Sequence, residues 1–253
     1  MSDLDARIPA LDAFQLRITE NLRPLVRDLL EEHGGAIATA MFGEVFGTPV
    51  DRVEPLKQPS RDGHFILRLT TSFTEIGDSF DHLLDAEVYL RRFPFRNSRV
   101  TPATYVRYHF ENYLQETYIL YNRLVALARW VQHTYRKTRS SARVEKAVAR
   151  VLDMLKFCFE PLLTARGVHV HEARLDEFPL RRLSLLDMAS QEMPEFGPTY
   201  DQAQRRVRRE RAAWIRANND RLRIVMNTYF EQLHPLLFTP AGRARYPSPP
   251  RAG

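Results

Sequence analysis

Lysine is scarce in this chain, cysteine occurs once, and no run of apolar residues is long. Only four of the 37 basic residues are Lys; the rest are Arg. One cysteine, Cys158, excludes an intrachain disulfide and a cysteine-rich zinc site. Its apolar neighbours in "MLKFCFEPLL" predict a buried, inert thiol. No apolar stretch approaches the roughly 18 residues of a membrane span, so no membrane partner is expected. The start, "MSDLDARIPALDAF", lacks the basic-then-apolar order of a secretory leader, and the expected location is cytoplasmic.

Length and composition are those of a globular protein. The 253 residues are 44% hydrophobic and 27% charged, enough for one large domain or two modest ones. The formal charge of +6 favours an anionic partner such as nucleic acid, RNA or DNA. An Arg-for-Lys compositional bias accounts for the same charge equally well.

Most of the chain reads as helix, and the expected class is mainly all-α. In "LDAFQLRITENLRPLVRDLLEEHGG", Leu11, Phe14, Ile18, Leu22, Leu25 and Leu29 follow a helical stripe. Pro24 is a candidate kink, and Gly34 with Gly35 a left-handed stop. "HFILRLTT" is the one expected strand, rich in β-formers. Helix returns over 73–93, and "PFRNSRVTPAT" marks a boundary. Residues 1–95 thus form an N-terminal, mostly helical region of unassigned role, with at most a short strand or hairpin.

Beyond the boundary the pattern is an up-and-down bundle over residues 100–238. Thr101 with Pro102 predicts an N-cap and first helical residue. Ser141 is the expected cap of a second long helix carrying Val144, Val148, Val151, Leu155 and Phe159. A short helix near "SLLDMASQEM" follows, then a capping box at Thr199 and Gln202 and a helix to about Leu237. Residues 239–253 read as a disordered tail.

The second long helix runs into "TARGVHVHEAR", where Arg166 precedes His171 by four intervening residues. The spacing alone is a weak signal; Arg27 and His33 show a related one. Within a helix those two would stand about 240° apart around the axis. Arg166 and His171 are expected to differ, because Gly167 offers a break at which both side chains turn to one cleft. His171 suits proton transfer near neutral pH. Arg166 presents a fixed fork for phosphoryl oxygens. Three other readings stay open: a polar helix end, His169 as a packing or turn residue, and a His169–His171 metal arm, against which the lack of a third ligand beyond Glu172 argues.

Long helix, long helix, "LLTARGVHVHEARL", short helix and long helix resemble the HEPN superfamily of helical ribonuclease and nucleotide-binding domains. Its signature is Arg, four to six residues, His at the end of the second main helix. "FENYLQETYILYNRL" is also similar to the aromatic-rich first helix of some members. The resemblance implies a metal-independent, cofactor-free endoribonuclease that cleaves through 2′-hydroxyl attack to a 2′,3′-cyclic phosphate. It implies catalytic Arg166 and His171, a homodimer with a composite site, and a toxin or phage-defence role with an antitoxin or activating partner. Gly167 stands where members often carry a polar residue, which leaves open a catalytically silent module binding nucleotides, RNA or protein.

Glu172, His169, Glu111, Asn112, Glu116 and Arg123 are the supporting candidates. Arg205, Arg206, Arg208 and Arg209, in the run "QRRVRRERAAWIR", are candidates for RNA phosphates. The many tyrosines read as core and interface residues.

Overall fold

The computed structural model describes residues 8–46, 59–92, 100–171 and 178–247, and there the chain is an all-α bundle. Its helices are α1 (Pro9–Phe46), α2 (Arg61–Arg91), α3 (Pro102–Tyr135), α4 (Ser141–His171), α5 (Phe178–Glu192) and α6 (Gly197–Leu237), with a 3-10 turn at Pro194–Phe196. Among the described residues there is no strand, only a single bridge between Phe238 and Ala244.

Helix α2 replaces the expected strand. Over "HFILRLTT" the chain buries Phe65, Ile66 and Leu69 while exposing Leu67. That is a helical period; a strand would alternate. Ile76, Phe80, Leu83 and Leu90 continue the stripe. Local β-propensity loses because these residues together bury one continuous face. Ser60 Oγ accepts from Gly63 N at 3.1 Å to open the helix. Thr70 and Thr71 return their hydroxyls to Ile66 O and Leu67 O.

Three expected signals fall elsewhere. Gly34 and Gly35 do not stop α1, which continues to Phe46, and Gly242 is the one described residue with positive φ. Helix-forming neighbours carry both glycines through, at the propensity cost that mid-helix Gly incurs. Ser141 is already helical: Val144 N bonds to Ser140 O, so the capping position is Ser140. Thr199 and Gln202 form no capping box, because α6 begins at Gly197 directly from the 3-10 turn, with Pro198 in its first turn. Thr101 Oγ1 does accept from Thr104 N, with Pro102 following as expected.

The directions of the helices follow from their contacts. Phe14 meets Phe73 and Phe230, Tyr113 bonds Asn219, and Tyr121 packs on Phe159. Together with Leu25 beside Gly63, Arg208 on Leu90 O and Tyr229 on Leu124 O, these pairs make α1, α3 and α6 parallel, with α2 and α4 running the other way. One hydrophobic cluster includes Phe14 and Ile18 of α1, Ile66 and Leu83 of α2, Leu124 of α3, Phe159 of α4 and Tyr229 of α6. The N-terminal helices therefore share the core of the rest.

Part of the expected disordered tail is docked. Ala244 N donates to Asn21 Oδ1 at 2.9 Å, and Arg245 bonds Leu237 O and Phe238 O. The Tyr135 hydroxyl donates to Arg245 O, and Arg61 to Pro247 O. A buried Phe238 gives this segment a surface to fold back on; residues 248–253 lie outside the described set. Cys158 is half-buried against the core, and burial pushes its thiol up.

Asn219 is 1% exposed and joins three helices: it accepts from Tyr113 Oη at 3.0 Å and donates to Leu83 O at 2.9 Å. Asn219→Ala removes the partner of the buried Tyr113 hydroxyl, so it should cost about 1–3 kcal/mol in urea unfolding. A loss below about 0.5 kcal/mol, the range of neutral surface changes, would contradict this role.

Candidate functional site

Arg166 and His171 both lie within α4, which runs without a break to His171. The expected turn at Gly167 is absent. Five residues along an α-helix advance about 140° around the axis beyond a full turn, so the backbone sets the two positions on different sectors of the helix. In this they resemble Arg27 and His33 in α1, and a single chain does not converge them through a loop. His169 stands between them on the same helix. Glu172 lies outside the described residues.

The supporting candidates on α3 are sorted by its packing. Asn112, Glu116 and Arg123 follow the 4- and 7-residue steps of one helical stripe, and that stripe meets α2. Arg123 donates to Glu75 O at 2.7 Å and to Ser79 Oγ. Ser79 is fully buried, so Arg123 provides its polar partner. Glu111 is half-buried one position off the stripe.

Asn112 and Glu116 border a cleft of about 400 Å³ between α2 and α3. From α2 it is lined by His82, Ala86 and Tyr89, and from α3 by Tyr108, His109, Asn112, Tyr113, Gln115 and Glu116. Ala86 causes the gap: a small residue stands between His82 and Tyr89 where the neighbouring turns carry large side chains. His109 packs among tyrosines, stacked on Tyr89 at 5.3 Å and tilted against Tyr105 at 4.3 Å. Tyr105 Oη holds Tyr89 O at 3.0 Å, which fixes the end of α2 to the start of α3. At the other end His82 Nδ1 stands 3.9 Å from Glu116 Oε1.

The sequence singles out neither His82 nor His109, and Tyr89 and Tyr108, expected with the other tyrosines in a core or interface, are exposed here. The available signal was spacing on consecutive helices, seven residues from His82 to Tyr89 and three and four from His109 and Tyr108 to Asn112, and it becomes a cleft only once α2 and α3 are in register.

The arginine run of α6 divides by partner. Arg208 donates to Leu90 O at 3.2 Å and Arg91 O at 2.6 Å, closing the C-terminal carbonyls of α2. Arg206 pairs with Glu210 at 2.7 Å. Arg211 lies 4.8 Å over the Phe110 ring, and burial lowers its pKa. Arg205 and Arg209 are exposed and four residues apart, on one face.

Among the described residues no cluster of His, Cys, Asp or Glu is arranged to hold a metal ion, and no helix is long and apolar enough to cross a membrane. No known protein family, curated protein or solved structure matches this chain.

Burial lowers the pKa of His109, and burial with the Arg17 charge lowers that of His234. The folded protein thus takes up these protons less readily than the unfolded chain. Their effect is nil above the unfolded imidazole pKa, and stability is lost as pH falls below it. Urea midpoints should therefore drop between about pH 7.5 and 5.5, and His109→Gln should shrink the drop. An identical pH slope in that variant would exclude His109 as a source.

Proposed function

We propose that this protein is a HEPN-like, metal-independent endoribonuclease that acts as a homodimer, with Arg166 and His171 as its catalytic pair. The observation that carries the reading is the place of that pair: the last two turns of the second helix in a long antiparallel couple, α3 and α4. His171 takes the 2′-hydroxyl proton or returns one to the leaving oxygen, and Arg166 offsets the charge that gathers on the phosphoryl oxygens. Both steps proceed without a cofactor. A cytoplasmic toxin or phage-defence effector, held by an antitoxin or released by an activating partner, is the biological setting this chemistry suits.

The helical path of α4 deepens the proposal. Positions about 140° apart serve one phosphate poorly within a chain, whereas two α4 ends meeting across a two-fold axis offer the Arg of one copy to the His of the other. Exposed Arg205 and Arg209 are the members of the α6 run best placed to hold RNA phosphates, with Arg206 and Arg208 committed to Glu210 and to α2.

In EDTA, the wild type should cut RNA to cyclic phosphate ends, and His171→Ala should lower the rate by about 10²-fold or more. Equimolar Arg166→Ala and His171→Ala chains, unfolded and refolded together, should regain roughly a quarter of wild-type rate, since half the dimers then hold one intact composite site. No recovery would place both groups in one chain. Reversing Arg205 and Arg209 to Glu should weaken RNA binding and flatten its salt dependence. RNA binding without cutting by folded dimer would instead support the silent HEPN-like module.

A further inference from the structure

The cleft between α2 and α3 has a charge opposite to that of the protein. The chain carries +6 overall with 37 basic residues, yet among the described residues no Lys or Arg lines this cavity, and Glu116 is the one acidic or basic side chain there apart from the two histidines. The neighbourhood on α2 is acidic as well. Asp81 is raised by burial and by the adjacent Asp85 and Asp78 carboxylates, and only His82 acts against them. A phosphate entering at the Glu116 end would meet repulsion, whereas a cation there would relieve it.

The walls narrow the kind of cation. Tyr89 is 49% exposed and Tyr108 58%, so aromatic surface remains open at the end of the cleft away from the carboxylate. Aromatic faces attract cations that shed water readily, and alkylammonium groups do so far more cheaply than Mg²⁺. No metal-holding cluster is present among the described residues. The cleft is also elongated: His82 and Tyr89 are seven residues apart on α2, about 10 Å along its axis. Between them Ala86 forms an apolar floor.

We propose that this cleft binds an aliphatic polyamine, with one ammonium group at Glu116, the alkyl chain over Ala86, and a second ammonium against the Tyr89 and Tyr108 rings. Glu116 supplies the ion pair that His82 now approaches at 3.9 Å. Asn112 supplies a side-chain carbonyl oxygen for the remaining N–H groups. The tyrosines set the orientation and exclude compact hydrated cations. Occupancy of this cleft does not depend on RNA cleavage.

Isothermal titration of the full chain with spermidine, putrescine, Mg²⁺ and adenosine tests this. Spermidine should bind at one site per chain, putrescine more weakly, and Mg²⁺ and adenosine without comparable heat. Glu116→Gln should weaken spermidine at least tenfold, and Ala86→Leu, which fills the floor, should do the same while helical circular dichroism is retained. Tyr108→Ala, at an exposed position, gives a second route to the same loss without touching the core. Absence of spermidine binding overturns the proposal, as does binding unchanged in Glu116→Gln and Tyr108→Ala. Adenosine binding lost in Ala86→Leu would overturn it in favour of a nucleobase site.

Discussion

A single buried amide fixes how three helices line up. Apolar helix faces attract one another with little preference for axial position, because burial is non-directional. Asn219 changes that, since Tyr113 Oη and the Leu83 carbonyl satisfy it at only one setting of α2, α3 and α6. Sliding α3 against α6 by a turn parts Tyr113 Oη from Asn219 and leaves polar groups buried without partners, at a cost comparable to a large share of a domain's net stability. Tyr105 on Tyr89 O and Arg208 on the last carbonyls of α2 repeat the constraint near one end of the helix. His82, Ala86 and Tyr89 oppose Glu116, Asn112 and His109 because of that register.

The C-terminal helix has a second task. Parallel to α1 and α3 and antiparallel to α2, α6 contributes Tyr229, Phe230 and Leu233 to the centre of the core. Its exit then turns back at Gly242, where a positive φ favours glycine and the Arg17 side chain packs close against it. Asn21 holds both sides of that turn, donating to Gly242 O and accepting from Ala244 N. Helix α1 is in this way tied to the segment that follows α6, and α1 and α2 take part in the same core as the bundle that follows.

Legibility in the sequence followed the range of the forces involved. Thr101–Pro102 and the end of α6 near Leu237 were readable because caps and helical stripes are local. "HFILRLTT" misled because its β-formers say strand locally, while the burial that decides the matter extends to Leu90. Gly34, Gly35 and Gly167 misled in one way: a glycine permits a stop without requiring one, and in α1 and α4 the helix continues. Asn112 and Glu116 were legible as polar members of a stripe, but not their company, since His82 and Tyr89 approach only through tertiary register. Of the arginine run, the sequence reveals the charge, and only the fold reveals that Arg208 caps α2.

The register set by Asn219 is the central claim, and the environment of His109 reports it. Asn219→Leu preserves bulk but removes the polar specification, so α2 and α3 lose their single setting. Histidine titration followed by NMR in wild type and in this variant is the direct measurement. The account predicts a depressed His109 pKa in wild type that returns toward the ordinary imidazole value of about 6.5 in the variant, with helical content retained. A folded Asn219→Leu protein whose His109 titrates as in wild type would contradict it.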